Sequence, residues 1–272
     1  FRSPGLWLSH PDLSLWPDLI ITSQTKWFFE HCPAKIIGVT GTKGKGTTAS
    51  LIYEILKKQF SIFNFQFSKI YLTGNICKVQ PFDILDNLKP DDRVVYELSS
   101  FQLQDLHKSP HIAVVLMTTS EHLDYHKDNN EYIDAKSAIT KFQTENDFAV
   151  INADYPASVE IGSQGKGQKI YFSRLQELDK GCFIKKNQII LKDVFGRNFQ
   201  FSIFNFQLKG RHNLENICAA ALVGTLLKIE PVVIKKSVEN FKGLEHRLEF
   251  VAEKQGIHPV KSAIGGTAPQ SF

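Results

Sequence analysis

No stretch of this 272-residue sequence approaches the ~20 consecutive apolar residues that a membrane-crossing helix needs, and its start lacks the layout of a secretory leader. Lys/Arg blocks of the kind that track a nucleic-acid backbone are also missing, and the formal charge is only +4. Neither nucleic acid nor a membrane is therefore an expected partner; anionic small molecules suit this mild positive charge better. Cysteine is scarce. Cys32, Cys77, Cys182 and Cys218 are scattered without a Cys-x-x-Cys pair, which argues against a zinc site and a disulfide framework and fits a reducing cytoplasm. They read as small buried apolar residues. No Asn-Lys-x-Asp guanine motif occurs. The hexapeptide Ser-Ile-Phe-Asn-Phe-Gln appears at 61–66 and again at 202–207, but no fixed period links the copies, so a solenoid is not indicated. The start at Phe1 rather than Met, and the unpatterned tail around Gly265–Gln270, lead us to expect a chain cut at both ends.

What is present is an ordinary globular composition, 42% hydrophobic and 22% charged, with length enough for a full core. Lys35–Thr40 is a short β-branched run that enters a Gly/Thr/Lys turn. From Thr47 to Phe60, Leu51, Ile52, Ile55 and Leu56 fall on one helical face. Strand-like runs follow at Val94–Leu98, Ile112–Met117 and Phe148–Asn152, with a helical pattern at Glu131–Phe142 between them. This alternation predicts an α/β fold: a mainly parallel sheet with helices on both faces. From Lys169 to Phe206 the segments shorten (Ile170–Phe172, Phe183–Ile184, Ile189–Leu191, Phe199–Phe206) and read as a small antiparallel meander attached to that sheet. Helix resumes over Asn213–Leu227, and Pro231 is placed to start another.

Gly41-Thr42-Lys43-Gly44-Lys45-Gly46-Thr47-Thr48 lies between a strand and a helix. Glycines let backbone N–H groups turn inward around phosphate oxygens, and the helix N-terminus adds unpaired donors and a positive dipole. Lys45 would neutralise the β- and γ-phosphates, and the Thr47 hydroxyl would reach Mg²⁺. In the common phosphate-loop pattern Ser or Thr follows the lysine directly; here Gly46 intervenes. A Gly-rich turn with solvated lysines is the plainer alternative, and strand, turn, helix and hydroxyls together favour a nucleotide site. Glu97, at a predicted strand end, offers a hard carboxylate for Mg²⁺; a water-facing carboxylate is its alternative. Asn213 and Asn216, at i and i+3, can point at one ligand, and paired amides suit an adenine edge; helix capping by Asn213 is the other reading.

These segments resemble, in order, the motifs of the Mur ligase and folylpolyglutamate synthase superfamily. Gly41–Thr48 is similar to its ATP loop, and Leu72-Thr73-Gly74-Asn75-Ile76 to its Gly-Asn-Ile substrate loop. Tyr96-Glu97-Leu98-Ser99-Ser100-Phe101-Gln102-Leu103 is similar to the signature of its D-glutamate-adding member. Glu121-His122-Leu123-Asp124 with Ala135-Lys136 resembles a second metal-binding segment. Gly210–Asn216 and Gly243–Glu249 resemble its adenine and hinge motifs, and Ser3-Pro4-Gly5 the end of its N-terminal UDP-binding domain. The resemblance runs from Ser3 to about Phe250.

What it implies is ATP-driven amide formation in peptidoglycan precursor synthesis by a cytoplasmic monomer. The carboxylate of UDP-N-acetylmuramoyl-L-alanine takes the γ-phosphate to give an acyl phosphate, which the amine of D-glutamate displaces. Lys45, His122 and Lys136 are the implied catalytic residues. Gly41 to Thr48, Asn213, Asn216 and Arg247 would bind ATP, and Asn75, Ser99 and Gln102 would line the muramoyl side. Thr47, Glu97, His122 and Lys136 would hold Mg²⁺, the lysine as a carbamate, which a desolvated site favours. On the residues alone Lys136 is a solvated helix lysine; His107, His111, His126 and His258 are read as surface or core histidines.

The implied division is a remnant of the N-terminal domain and linker at 1–22, a central ATP-binding domain at 23–242, and a hinge with the start of a C-terminal domain at 243–272. The tail departs from the pattern at His258-Pro259-Val260-Lys261-Ser262, and Met117-Thr118-Thr119-Ser120 replaces an Asn-x-Thr run. Taken alone, the chain is expected to bind ATP without turnover. A folylpolyglutamate synthase-like ligase and a non-catalytic nucleotide-binding fragment are the rival readings. A phosphate-loop motor or GTPase fits less well, because the hydroxyl is offset.

Overall fold

The computed structural model describes residues 1, 21–63, 69–76, 79–119, 129–204, 206–208, 210–244, 249–250 and 260–261. Ser3-Pro4-Gly5, His122 with its Glu121–Asp124 segment, and Arg247 lie outside them, as do most of the flanking segments 1–22 and 243–272.

Strand β1 (Lys35–Thr40) is the middle of the architecture. Its alternate side chains go to opposite faces of the sheet: Ile37 and Val39 join one core cluster, Ile36 the other. Because both faces are covered, the strand reads as a continuous apolar run rather than an alternating one. It is flanked in parallel by β3 (Arg93–Glu97) and β4 (Ile112–Val115). Edge strand β2 (Ile70–Gly74) lies beyond β3, and β5 (Phe148–Asn152) and β6 (Gln168–Ser173) extend the other side. The strand order β2-β3-β1-β4-β5-β6-β7-β8-β9 reverses direction at β1, and at such a switch point a crevice opens beyond the strand C-termini.

The apolar stripe foreseen on the first long helix is what seats it. α2 (Lys45–Phe63) buries Leu51, Ile52, Ile55 and Leu56 at 1% exposure or less, sharing a cluster with α7 (Arg211–Leu226) and α8 (Pro231–Asn240). The opposite face is covered by α1 (Gln24–His31), α3 (Pro81–Leu85), α4 (Ser100–Leu103), α5 (Asn129–Lys141) and α6 (Pro156–Gly162), which contribute Phe28, Phe29, Ile84, Leu103, Ile139 and Ile161 among others. At about 1.5–3 kcal/mol per fully buried large aliphatic side chain, these two layers hold the sheet. Helices on both faces are as expected, and Pro231 does start α8.

β7 (Gly181–Lys185), β8 (Gln188–Val194) and β9 (Arg197–Ser202) form the expected meander, attached to the parallel portion within one nine-stranded sheet. Two expectations shift. Ile170–Phe172, read as part of that meander, belongs to the parallel portion: β6 pairs parallel with β5 and with β7, and antiparallel pairing begins only at β7–β8. The connection from β6 to β7 is short, so its parallel pairing carries no helical signature. Leu72-Thr73-Gly74, read only as a loop motif, is the end of β2, and the turn is Asn75-Ile76. A separate two-stranded pair joins β10 (Glu249–Phe250) and β11 (Val260–Lys261). Among the described residues no helix is long and apolar enough to cross a membrane. Cys32, Cys182 and Cys218 are free and buried, and burial pushes the thiols of Cys32 and Cys182 up.

Candidate functional site

Strand β1 ends at Thr40, and the next four residues turn back to start α2 at Lys45, two residues earlier than the sequence pattern suggested. The turn already supplies the helix with acceptors: Thr48 N–H donates to the Gly44 carbonyl at 2.9 Å. Gly44 has φ +86°, a conformation that L side chains rarely adopt, and a Cβ there would sit 2.2 Å from Asn216 Oδ1. The loop is pinned from behind, where Thr42 N–H donates to the Met117 carbonyl at 2.8 Å and Leu116 N–H to Thr40 O at 2.9 Å. Thr42 Oγ1 donates to Thr119 O at 3.0 Å and accepts from Thr119 N at 3.0 Å. Its remaining contact, Tyr132 OH at 3.0 Å, is then the donor, since a hydroxyl has one proton to give.

Two lysines converge on this turn. Lys45 Nζ donates to Gly41 O at 3.1 Å and Thr42 O at 3.2 Å. Lys136 Nζ donates to the same Gly41 carbonyl at 3.2 Å and to Thr40 Oγ1 at 3.3 Å, and lies 4.8 Å from the centre of the Tyr132 ring. Lys136 is 2% exposed. The solvated helix lysine that its sequence context suggests is not what the fold makes of it: the face of α5 that carries Lys136 turns toward β1. Two ammonium groups on one carbonyl, at the N-terminus of a helix, concentrate positive potential where an anion would sit.

Glu97 closes β3 beside Val39 of β1 and Gly74 of β2 and is 4% exposed, so the water-facing alternative does not apply. Thr47 is half-buried. Thr48 is fully buried, and its Oγ1 has no hydrogen-bond partner among the described residues. The hydroxyls of Thr47 and Thr48 at the start of α2 and the Glu97 carboxylate at the end of β3 are hard oxygen donors, the chemistry that suits Mg²⁺. Gly46 is buried, and a Cβ there would meet Ile76 Cγ2 at 2.7 Å and Leu244 Cδ1 at 3.0 Å. The residue that replaces the usual hydroxyl is thus where the β2 turn and the hinge segment meet the loop.

Asn213 and Asn216 come together. Both are buried in the opening turns of α7, and Asn216 Nδ2 donates to Asn213 Oδ1 at 2.9 Å. Asn213 is not the cap: that position belongs to Gly210, whose carbonyl accepts from Asn213 N–H at 3.0 Å. Asn75 is exposed on the β2 turn. Ser99 and Gln102 form a reciprocal cap of α4, with Gln102 N–H donating to Ser99 Oγ at 3.3 Å and Ser99 N–H to Gln102 Oε1 at 2.9 Å. Their motif therefore has a local structural cause. Lys43 is exposed at the loop's outer edge. Among the described residues no group of three or more His, Cys, Asp or Glu could hold a metal; His122 lies outside them. His111, read as an ordinary histidine, pairs through Nδ1 with Asp147 Oδ1 at 2.8 Å, between the starts of β4 and β5 and away from the loop.

Sequence reasoning missed Tyr132, although it lies four residues before Lys136 and so on the same helical face. It also missed Glu215, a buried carboxylate two residues before the apolar run Ile217–Val223 of the same helix.

Strand, glycine turn and helix at a topological switch point, with lysines converging on the turn, define a phosphate-loop α/β domain. The family is narrower: a model of the Mur ligase middle domain matches residues 39–224, and the chain belongs to that family. UDP-N-acetylmuramoylalanine–D-glutamate ligase of Acetivibrio thermocellus is 37% identical over 274 residues, covering 100% of this chain and 57% of the relative. The enzyme of the same name from Clostridium kluyveri is 38% identical over 253 residues, 93% of this chain and 52% of the relative. The chain thus spans a little over half the length of these curated relatives. Among solved structures, MurF from Acinetobacter baumannii superposes with a TM-score of 0.62 at 20% identity, covering 85% of this chain and 51% of that one. MurF ligase from Thermotoga maritima, solved with ADP, gives 0.60 at 22% identity over 88% and 57%. At such identities these two speak for the fold.

Proposed function

We propose that Gly41–Thr48 holds the phosphates of ATP, and that the protein containing this chain adds D-glutamate to UDP-N-acetylmuramoyl-L-alanine. The observation that carries the reading is Lys45 folded onto the Gly41 and Thr42 carbonyls at a helix start, beside glycines of positive φ, Gly41 and Gly44. Phosphoryl transfer needs little covalent help from protein; it needs position and charge. Lys45 exchanges its loop carbonyls for β- and γ-phosphate oxygens, and the N–H groups of Gly44 to Thr47 donate to the others. The substrate carboxylate attacks the γ-phosphorus, the bond to ADP breaks, and the amine of D-glutamate then displaces phosphate from the acyl phosphate. Thr47 and Glu97 would hold a first Mg²⁺, which supplies charge neutralisation when bound; His122 and a carbamylated Lys136 are assigned to a second. Asn213 and Asn216 would contact the adenine, Asn75 the muramoyl substrate, and Arg247 the ATP. Ser99 and Gln102 support that side by capping α4. The relatives' names support the D-glutamate reading, and the same reading makes the protein a cytoplasmic monomer.

Titration calorimetry with ATP, with and without Mg²⁺, tests the nucleotide assignment. Magnesium-dependent binding should fall about a hundredfold in Lys45→Ala, the usual scale for losing one charge-stabilising donor. Equal binding by both proteins would sink the assignment. For the carbamate, ¹³C-bicarbonate should give a carbamate resonance in wild type and none in Lys136→Arg; no such resonance in wild type contradicts it.

A further inference from the structure

Helix α7 carries Asn213 and Asn216 in its opening turns. Its middle is seated in the core, with Ala219-Ala220-Ala221 and Gly224 allowing close approach and Ile217, Leu222 and Val223 fully buried. One charge sits in its second turn. Glu215 is 5% exposed. Its Oε1 accepts from Arg174 Nε at 2.8 Å and from Tyr155 OH at 3.4 Å, and its Oε2 accepts from Asn152 Nδ2 at 3.0 Å. The donors come from separate places: Asn152 ends β5, Tyr155 caps α6, and Arg174 follows β6. The hydrogen bond to Glu215 holds the Arg174 guanidinium above its usual range, and burial, then the Glu215 charge, pushes the Tyr155 phenol up.

The Arg174 side chain is 27% exposed and that of Glu215 only 6%; an ion pair taken this far out of water is a poor stabiliser compared with apolar packing, and its best-attested use is to fix register. Side-chain tips lie roughly 5–6 Å from a helix axis, so a turn of about 20° would carry Asn216 about 2 Å from its place against Gly44.

We infer that Glu215 is a positioning residue for base selection: by clamping α7 to the ends of β5 and β6, it aims the Asn213–Asn216 amide pair at the nucleobase above the phosphate loop. This rests on the nucleotide reading above. Inorganic tripolyphosphate serves as the base-free probe, since it offers the loop its phosphates and the amides nothing.

The experiment is calorimetry of the 272-residue chain in Mg²⁺ with ATP, GTP and inorganic tripolyphosphate. Glu215→Ala should weaken ATP about tenfold while leaving tripolyphosphate within about twofold, and the preference for ATP over GTP should shrink with it. Adding Asn216→Ala to Glu215→Ala should cost little more, because the two act as one unit. Glu215→Gln keeps the shape but not the charge on Arg174, and should fall between. A folded Glu215 variant that keeps the wild-type ATP preference overturns the inference. So does one that loses ATP and tripolyphosphate in equal proportion, the mark of a merely structural role. If Glu215→Ala does not fold, Glu215→Gln is judged by the same criteria. Wild-type binding of tripolyphosphate without any preference for ATP overturns this inference and leaves the phosphate loop standing. Wild-type binding of neither ligand overturns the nucleotide reading itself, and this inference with it.

Discussion

The two ends of the nine-stranded sheet are stabilised in opposite ways. In the parallel half, polar side chains are taken out of water and matched to partners near the strand C-termini: Thr40, Thr42, Lys136, Asn152 and Glu215 are all buried. In the antiparallel end, none of the buried polar side chains comes from residues 181–202. Its charges meet at the surface instead, as in Lys185 with Glu177 at 2.7 Å, each about half exposed. Such exposed pairs contribute about 0–1 kcal/mol. Four of the five described non-glycine residues with positive φ (Lys186, Asn187, Asp193 and Phe195) also lie here, at the hairpin turns. Consecutive positive φ at Lys186-Asn187 is the tight two-residue turn that matches strand twist. Backbone strain in the antiparallel end shapes turns. In the parallel half it shapes the candidate site.

The sharpest way to break this contrast is to place the same methyl group in both regions. Gly44 and Gly196 both have positive φ, +86° and +74°. Gly44→Ala meets Asn216 Oδ1 as well as the backbone penalty. It should cost about 3 kcal/mol in stability, as strain and overpacking each cost roughly 1–3 kcal/mol, and nucleotide binding should go with it. A smaller effect tests the core of the parallel half alone. Tyr96 is fully buried against Thr25, and burial pushes its phenol up from 10 to about 12. Its folded value lies above the unfolded one, so its contribution is complete below pH 10 and is lost as pH rises from there through about 12. The loss should be on the order of 2 kcal/mol, read as a falling melting temperature across that window and flattened in Tyr96→Phe. Gly196→Ala gives the smallest effect. Nothing lies within 4 Å of the added methyl, so only left-handed strain of about 1–2 kcal/mol remains, with ATP affinity unchanged. Equal losses of stability and affinity at the two glycines would erase the distinction.

How much of this was legible in the sequence follows the same divide. The β-branched run Lys35–Thr40, the helical stripe of Leu51, Ile52, Ile55 and Leu56, and the glycine turn between them are local signals, and all three stand where the pattern put them. Lys136 was legible only through the motif around it, since its burial depends on the packing of α5 over β1, which no spacing within α5 reveals. Capping was the alternative for Asn213 because Asn favours that position, yet Gly210 takes the role three residues earlier. The parallel pairing of β6 with β7, across a short connection without a helix, is a choice that short strand patterns do not encode. The repeated hexapeptide makes the point within one chain: residues 61–63 continue helix α2, whereas Ser202 ends strand β9. The same letters take the structure that their surroundings impose.

Hydrogen–deuterium exchange of the chain with and without MgATP tests the central claim most directly, because it reads both regions at once. Nucleotide should slow exchange at Gly41–Thr48 and in the opening turns of α7, Arg211–Asn216, and leave β7–β9 unchanged. Protection appearing in the β7–β9 hairpins, or nowhere in the chain at saturating nucleotide, would contradict the account.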